Sequence, residues 1–297
     1  RQMCIRDRSW VGFWWRDLER ALQQGQCREF ERSPGGARWL AVWGGACLAA
    51  ALGLYLAGGY HAAFVPINGL AAAGPDWAWE WVTVLGDDRL VIAAALWFTR
   101  RHPRVFWALC VTAVLGYGFT HSLKPLFLAA RPPAVLDPGD LYVIGPGHRK
   151  TSFPSGHSLT ASAFCGVWLY WRAGWSWRVP LVALAVMVAG SRVVVGVHWP
   201  VDVAVGLFGG VLAAWLGVTL SRRWPWGLRP GVHLTLLLPP LLMALHVLSD
   251  DGGYHRAAGF QVAVVLIALL KAFLDYLWLP WRRWRRAPDP DSEDWAR

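Results

Sequence analysis

Long stretches without a single charged residue constrain this chain more than any other feature of its sequence. Leu40 to Tyr60 is uncharged over 21 positions, and Val203 to Ser221 is uncharged over 19. A helix needs about 20 mostly apolar residues to cross a bilayer, so both stretches predict membrane-spanning helices. Only 16% of the chain is charged, whereas a soluble domain carries roughly 25%. The sequence therefore predicts an integral membrane protein.

Six weaker stretches complete a prediction of eight spanning helices in an all-α polytopic bundle. Five of them are Val105 to Ser122, His157 to Trp171, Val179 to Val197, Val232 to Leu248 and Ala257 to Leu279. The sixth, Leu90 to Thr99, has only ten residues. It must extend back through Gly86, Asp87 and Asp88 or tilt into a thin region of the bilayer.

The distribution of basic residues predicts the orientation of this bundle. With the N-terminus in the cytoplasm, 21 of the 29 Lys and Arg residues fall in cytoplasmic segments, as the positive-inside rule requires. Omitting the helix Leu90 to Thr99 would invert every later loop, so the charge pattern argues for retaining it. The net charge of +10 does not predict a nucleic-acid partner, because the basic residues lie between apolar runs. We expect a multi-pass protein of the cell (inner) membrane with both termini in the cytoplasm.

Three groups of polar residues stand where the predicted helices reach the outer surface, and ionisable residues at a membrane usually have a function. Lys124 and Arg131 are seven positions apart, so both can share a helix face about 10 Å apart along the axis, unless Pro125 restarts the helix. Pro154 to His157 opens the fourth helix, whose free N–H groups favour an anion that Gly156 allows to approach closely. The third group is Ser191, Arg192, His198 and Asp202.

Each group also has a purely structural interpretation. Lys124 and Arg131 could be interfacial cations. Ser155 could be a helix cap, and His198 a satisfied core histidine. His121, one turn before Lys124, could line a site, although a core histidine is the commoner case. The presence of all three groups, in this order and on one side of the predicted bundle, favours a single shared site.

Together the three groups resemble the three-part signature of the type-2 phosphatidic acid phosphatase superfamily, whose lipid phosphatases share their site with vanadium haloperoxidases. Lys124 to Pro132, Pro154 to His157 and Ser191 to Asp202 fit this signature without a missing position. The resemblance covers roughly Leu40 to Arg222. It implies a six-helix membrane bundle with its site at the outer surface, and the last two helices lie outside it.

The sequence divides into four predicted parts. Residues 1–37 form an N-terminal cytoplasmic segment, in which Arg1 to Arg8 match no element and are interpreted as read-through at the edge of an assembled sequence. Residues 38–224 form the membrane phosphatase core, 225–280 an extra transmembrane hairpin, and 281–297 a basic and then acidic cytoplasmic tail. The first long apolar run begins only after Arg38, so we expect no cleavable signal peptide.

The residue types also predict how a phosphate would be bound. Lys124, Arg131 and Arg192 can neutralise the anionic oxygens of a phosphate ester and stabilise the charge of the transition state. Ser155 and Gly156 open the helix whose N-terminus would hold the same anion.

The histidines and the carboxylate predict the reaction itself. Neutral His198 is a competent in-line nucleophile, and Asp202 can accept its other ring N–H. His157 can protonate the leaving oxygen and later activate the water that hydrolyses the phosphohistidine. This scheme requires no metal or cofactor. A zinc site from His157, His198 and Asp202 is the weaker alternative, because three neighbouring cations would repel the metal.

The expected partners are the bilayer and a lipid phosphate, because a site in the outer headgroup layer is reached laterally by an amphiphile. The outward site and the resemblance favour a polyprenyl diphosphate such as undecaprenyl diphosphate. Phosphatidic acid, phosphatidylglycerophosphate and lipid A phosphates remain open. Three other functions are alternatives: a vanadium haloperoxidase, which would be soluble, a phosphotransferase that uses a hydroxyl in place of water, and a non-catalytic lipid-binding protein.

Overall fold

A computed structural model of the chain describes residues 9–28, 35–172 and 174–287. Every regular element within these ranges is a helix, which confirms the predicted all-α polytopic fold. The expectations for Arg1 to Arg8 and for the acidic end of the C-terminal tail concern residues outside the described ranges.

The helices range in length from four residues to 25. In chain order they are α1 (Trp10–Arg28), α2 (Gly36–Gly58), α3 (Phe64–Asn68), α4 (Asp76–Val84), α5 (Asp88–Ala94), α6 (Pro103–Phe127), α7 (Pro132–Val135), α8 (Gly156–Trp171), α9 (Trp175–Val194), α10 (Pro200–Arg223), α11 (Pro230–Thr235), α12 (Leu238–Ser249), α13 (Ala258–Phe273) and α14 (Leu279–Arg286). A π-helical turn, Leu274–Trp278, joins the last two.

Six helical stretches are long and apolar enough to cross a membrane, which makes the chain a multi-pass membrane protein. They are Gly36–Gly58, Pro103–Val135, Trp175–Val194, Pro200–Arg223, Pro230–Ser249 and His255–Arg286. Each of them contains most of one of the eight predicted spans.

The other two predicted spans are helical but short. Helix α8 has 16 residues, about 24 Å of helix. The stretch Leu90 to Thr99 forms α5 and the 3-10 turn Ala95–Trp97. Helix α5 does not extend back through Asp87, because that residue is its N-cap and accepts a hydrogen bond from the Arg89 N–H at 2.9 Å. The crossing of a bilayer by these two helices stays a prediction.

Helix α10 lies at the centre of the bundle, packed against α2, α6 and α8. Small residues on α10 allow α8 to approach closely. A Cβ atom on Gly206 would press against the backbone carbonyl of Ser155, and one on Gly210 against that of Leu159. This close packing brings the N-termini of α8 and α10 together, and the Ser155 N–H donates to the Asp202 carbonyl at 3.1 Å.

The C-terminal hairpin, α11 to α14, packs on α5. The two share one apolar cluster, which includes Leu90, Ala93 and Leu96 together with Ala244, Val247, Val265 and Ala268. Burial of α5 between the hairpin and α8 gives this short helix a protein environment on both sides. The loop between α12 and α13 is thereby placed beside Asp87, where α5 begins.

Both described terminal helices meet at the end of the bundle where α5 leads into α6. The rings of Trp10 in α1 and Trp284 in α14 are 5.7 Å apart. Asp17 of α1 forms a buried ion pair with Arg100 and, at 3.0 Å, a second ion pair with the exposed Arg283.

Candidate active site

His198 lies in the turn between α9 and α10, beside Asp202 in the first turn of α10. His198 Nδ1 and Asp202 Oδ2 are 3.4 Å apart, which is long for a hydrogen bond but ordinary for catalytic groups without substrate. His198 is 2% exposed and Asp202 is fully buried. The contact at Nδ1 leaves Nε2 as the ring nitrogen that can carry a reactive lone pair.

Three donors fix the Asp202 carboxylate. Oδ2 accepts a hydrogen bond from the Trp199 N–H at 2.9 Å and another from the Ser152 hydroxyl. Oδ1 accepts from the Tyr60 hydroxyl. A carboxylate held from both sides can in turn hold the imidazole ring of His198 in one orientation.

The electrostatic environment keeps His198 neutral. Burial lowers the pKa of this imidazole well below its usual value, and the charges of Arg131, Arg192 and Lys124 lower it further. A neutral ring at neutral pH is the form that can act as a nucleophile.

Arg131 is buried at the site, but it does not continue the helix that carries Lys124. Helix α6 ends at Phe127, and Leu128 adopts a left-handed conformation with φ of 43°. Arg131 is extended, as a residue before a proline prefers, so the predicted shared helix face is wrong. Its guanidinium donates to the carbonyls of Lys150 at 2.9 Å and Val197 at 3.3 Å. The loop after α7 therefore positions Arg131 beside the His198 turn.

Arg192, in the last turn of α9, has one nitrogen with two acceptors and one buried nitrogen without any among the described residues. Its Nη1 donates to the Thr83 hydroxyl and to the Tyr254 hydroxyl, each at 2.7 Å. Its Nε is buried and has no hydrogen-bond partner among the described residues. Because a buried N–H without a partner is costly, this atom indicates a place for an anionic ligand.

The second sequence group opens α8 as predicted. The Ser155 side chain caps the helix, accepting from the Ser158 N–H at 3.4 Å and from its hydroxyl at 2.8 Å. A Cβ on Gly156 would meet open space, so the backbone is accessible there. His157 Nε2 is buried without a partner in the described part of the chain. Because the Ser155 N–H already donates to the Asp202 carbonyl, the accessible backbone of this turn begins at Gly156.

Lys124 is half-buried in the last turn of α6, close enough for its charge to lower the pKa of His198. His121, one turn earlier, is exposed and stacks on Tyr117 with ring centroids 3.6 Å apart. It is neither a core histidine nor part of the arrangement around His198.

Four residues of the site carried no signal in the sequence. Tyr60 and Ser152 hold Asp202, while Thr83 and Tyr254 hold Arg192. Ser152 is close to the Pro154 to His157 group in sequence, and this proximity is the only signal available for any of them. The others are single hydroxyl residues far along the chain from their partners.

Several known proteins are similar to part of this chain. Residues 105–226 match the model of the PAP2 superfamily, and all three sequence groups fall inside the match. The chain is 30% identical over 134 residues to an undecaprenyl-diphosphatase of Sulfolobus acidocaldarius, covering 45% of this chain and 64% of that protein. It is 36% identical over 120 residues to a lipid A 1-phosphatase of Rhizobium etli, covering 38% of this chain and 50% of that protein.

The chain thus spans less than two thirds of the length of these relatives. A crystal structure of Aquifex aeolicus LpxE aligns with 52% of this chain and 92% of its own, at 24% identity and a TM-score of 0.48. The resemblance predicted from the three groups is confirmed for residues 105–226, a shorter region than the predicted Leu40 to Arg222.

Proposed function

We propose that this chain, whose residues 105–226 carry the PAP2 superfamily match, is an integral-membrane lipid phosphatase that works through a phosphohistidine. One observation carries the proposal: two buried nitrogens, Arg192 Nε and His157 Nε2, have no partner among the described residues. They accompany a neutral histidine held by a carboxylate. A phosphate group would satisfy both nitrogens.

In the first step, His198 Nε2 attacks phosphorus. A P–N bond forms as the P–O bond to the lipid oxygen or, in a diphosphate, to the lipid monophosphate breaks, and His157, which takes up a proton once the phosphate anion lies beside it, gives that proton to the leaving oxygen. Asp202 stabilises the positive charge that develops on the His198 ring. Arg131, Arg192 and Lys124 stabilise the negative charge on the phosphoryl oxygens.

In the second step, water replaces the histidine. Neutral His157 takes a proton from the water as its oxygen attacks phosphorus, and the P–N bond breaks. His198 returns to its neutral form, and His157 is again protonated. The same intermediate would serve a phosphotransferase if a hydroxyl group took the place of water.

The phosphate-binding set comprises Lys124, Arg131, Ser155, Gly156 and Arg192, and the catalytic set comprises His198, His157 and Asp202. No metal or cofactor is needed in this scheme, because protein cations supply the positive charge that a metal would otherwise provide.

Undecaprenyl diphosphate is the preferred substrate, because one relative is named for that activity and the chain covers more of that relative than of the lipid A 1-phosphatase. Lipid A phosphates, phosphatidic acid and phosphatidylglycerophosphate are the alternatives. The positive-inside pattern supports a site on the outer side of the cell (inner) membrane and cytoplasmic termini.

Phosphate release by the purified full chain tests the proposal, with each of these lipids supplied separately. We expect release from undecaprenyl diphosphate, loss of release in His198→Ala, and retention in His121→Ala, which removes an exposed histidine of α6. An acid-labile phosphoryl group on His198 should be trapped by rapid quenching. Release that survives His198→Ala would contradict the mechanism.

A further inference from the structure

Tyr254 reaches the proposed site from outside the region that matches the PAP2 superfamily. It lies between α12 and α13, whereas the match ends at residue 226. The side chain is 3% exposed. Its hydroxyl accepts a hydrogen bond from Arg192 Nη1 at 2.7 Å, and the Arg192 guanidinium lies 5.9 Å from the centre of its ring.

The loop that carries Tyr254 is fastened to the start of α5. Arg89 binds Asp87 through Nε at 3.1 Å and Nη2 at 2.8 Å, and its Nη1 is 3.4 Å from Asp250 of the loop. Hydrogen bonding with Asp87 raises the pKa of Arg89 further above its usual value, so this link is permanently charged. Gly252, with φ of 67°, packs directly against Arg89.

A second link fastens the far side of the loop to α4. The Arg256 N–H donates to Glu80 at 2.9 Å, and the Arg256 Nη1 donates to Asp76 at 2.6 Å. Trp81 donates from its indole to the Arg256 carbonyl at 3.2 Å. Helix α4 also carries Thr83, the other acceptor for Arg192. The loop and α4 therefore hold Arg192 as one unit.

The hydrogen bonds to the Thr83 and Tyr254 hydroxyls use both hydrogens of Arg192 Nη1. A guanidinium is planar, so fixing one nitrogen with two acceptors fixes the plane and the direction of its remaining edge. That remaining edge contains Nε, the buried nitrogen without a partner in the described ranges. The Nε and Nη2 pair is the edge that binds two phosphate oxygens at once.

We propose that Tyr254 is a positioning residue that orients the Arg192 guanidinium toward the substrate phosphate, so that the C-terminal hairpin completes the active site. This inference rests on the proposed phosphatase function. It assigns to the hairpin a role in phosphate affinity in addition to its packing on α5.

The test compares Tyr254→Phe with the wild type, using the purified full chain in detergent. The variant keeps the ring and removes the hydroxyl, and a hydrogen bond to a charged group contributes about 1.5–3 kcal/mol. We expect about a tenfold rise in KM for undecaprenyl diphosphate and about a tenfold weaker binding of inorganic phosphate by calorimetry, the lower end of that range. The turnover number and melting temperature should change much less.

Tyr142→Phe is the matched control, because Tyr142 is an exposed tyrosine on the neighbouring outer loop. It should behave as the wild type in every measurement. Wild-type values for Tyr254→Phe would overturn the inference while leaving the phosphatase function intact, provided that His198→Ala is inactive. A lower melting temperature with unchanged KM and phosphate affinity would also overturn it, since that pattern indicates a structural role only. Absence of phosphate release from all lipids tested would overturn the proposed function and this inference together.

Discussion

The Tyr60 hydroxyl donates a hydrogen bond to the Asp202 carboxylate, across 142 positions of sequence. Tyr60 follows the end of α2, and Asp202 lies in the first turn of α10. Burial raises the pKa of the Tyr60 phenol, as does the charge of Asp202, so the hydroxyl keeps its proton and remains a donor. The helix pair α2 and α10 therefore contributes directly to the orientation of the Asp202 carboxylate.

Removal of this donor should slow the reaction. In Tyr60→Phe the carboxylate keeps Ser152 and Trp199 but loses its only partner at Oδ1 among the described residues. A hydrogen bond to a charged group contributes about 1.5–3 kcal/mol, so we expect a fall in turnover of about tenfold or more. Steady-state phosphate release measures this fall in turnover. Tyr55→Phe, at an exposed position of α2, is the control, and equal rates in both variants would contradict this role.

Neutralising the carboxylate should have a larger effect. Asp202→Asn keeps the size of the side chain but offers His198 Nδ1 an amide, which favours the wrong tautomer and does not stabilise an imidazolium. We expect a fall in turnover on the order of 10³-fold or more, with KM changed much less. Asp140→Asn, at an exposed carboxylate of the loop between α7 and α8, should retain full activity. A comparable fall in turnover in Asp140→Asn would show that the loss follows from removing any carboxylate charge, and not from the contact between Asp202 and His198.

The rate should depend on pH through His198. Only the neutral ring attacks, and its pKa is lowered, so kcat/KM should fall on the acidic side at a pH below the ordinary histidine value of about 6.5. Lys124→Met removes one of the charges that lower this pKa, so its acidic limb should move to higher pH. The pH profile of kcat/KM reports the ionisation of the free protein, so it gives the pKa of His198 in the wild type and in Lys124→Met. If the acidic limb of the Lys124→Met profile coincided with that of the wild type, the proposed effect of the Lys124 charge on His198 would be contradicted.

Chelation should leave the activity intact. Within the described ranges, no three His, Cys, Asp or Glu side chains are grouped as ligands for a metal ion. We expect full phosphate release after dialysis against EDTA. Vanadate should inhibit, because it adopts the trigonal-bipyramidal geometry of phosphoryl transfer. Loss of activity on chelation, with recovery on addition of one metal, would refute the mechanism.

The loop that holds Tyr254 should be sensitive to a single methyl group. Gly252 has a positive φ, and a Cβ there would press against the Arg89 guanidinium. Gly252→Ala should lower the melting temperature, because an alanine in this backbone conformation costs about 1–2 kcal/mol. It should also raise KM, because the displaced Arg89 would no longer hold the loop that carries Tyr254. Gly259→Ala, in α13 of the same hairpin, meets open space and serves as the control. Equal KM values in the two variants would show that this loop does not affect the site.

Part of the candidate site could be predicted because its residues are close in sequence. His198 and Asp202 are four positions apart around a helix start, and Pro154 to His157 is a continuous group that opens α8. Arg131 was predicted as a site residue but on the wrong element. The break in α6 depends on how Leu128 and the loop carbonyls pack, and no local pattern specifies that.

Six of the eight predicted spans correspond to helices long and apolar enough to cross a membrane, and they could be predicted from the sequence because the free energy of placing a segment in a bilayer is roughly a sum over its own residues. Length and charge are therefore sufficient to find such segments. Only the tertiary structure decided which side chains meet at the helix ends. Tyr60, Thr83 and Tyr254 are single hydroxyl groups whose partners depend on helix packing over long sequence separations, and such contacts leave no periodic trace along the chain.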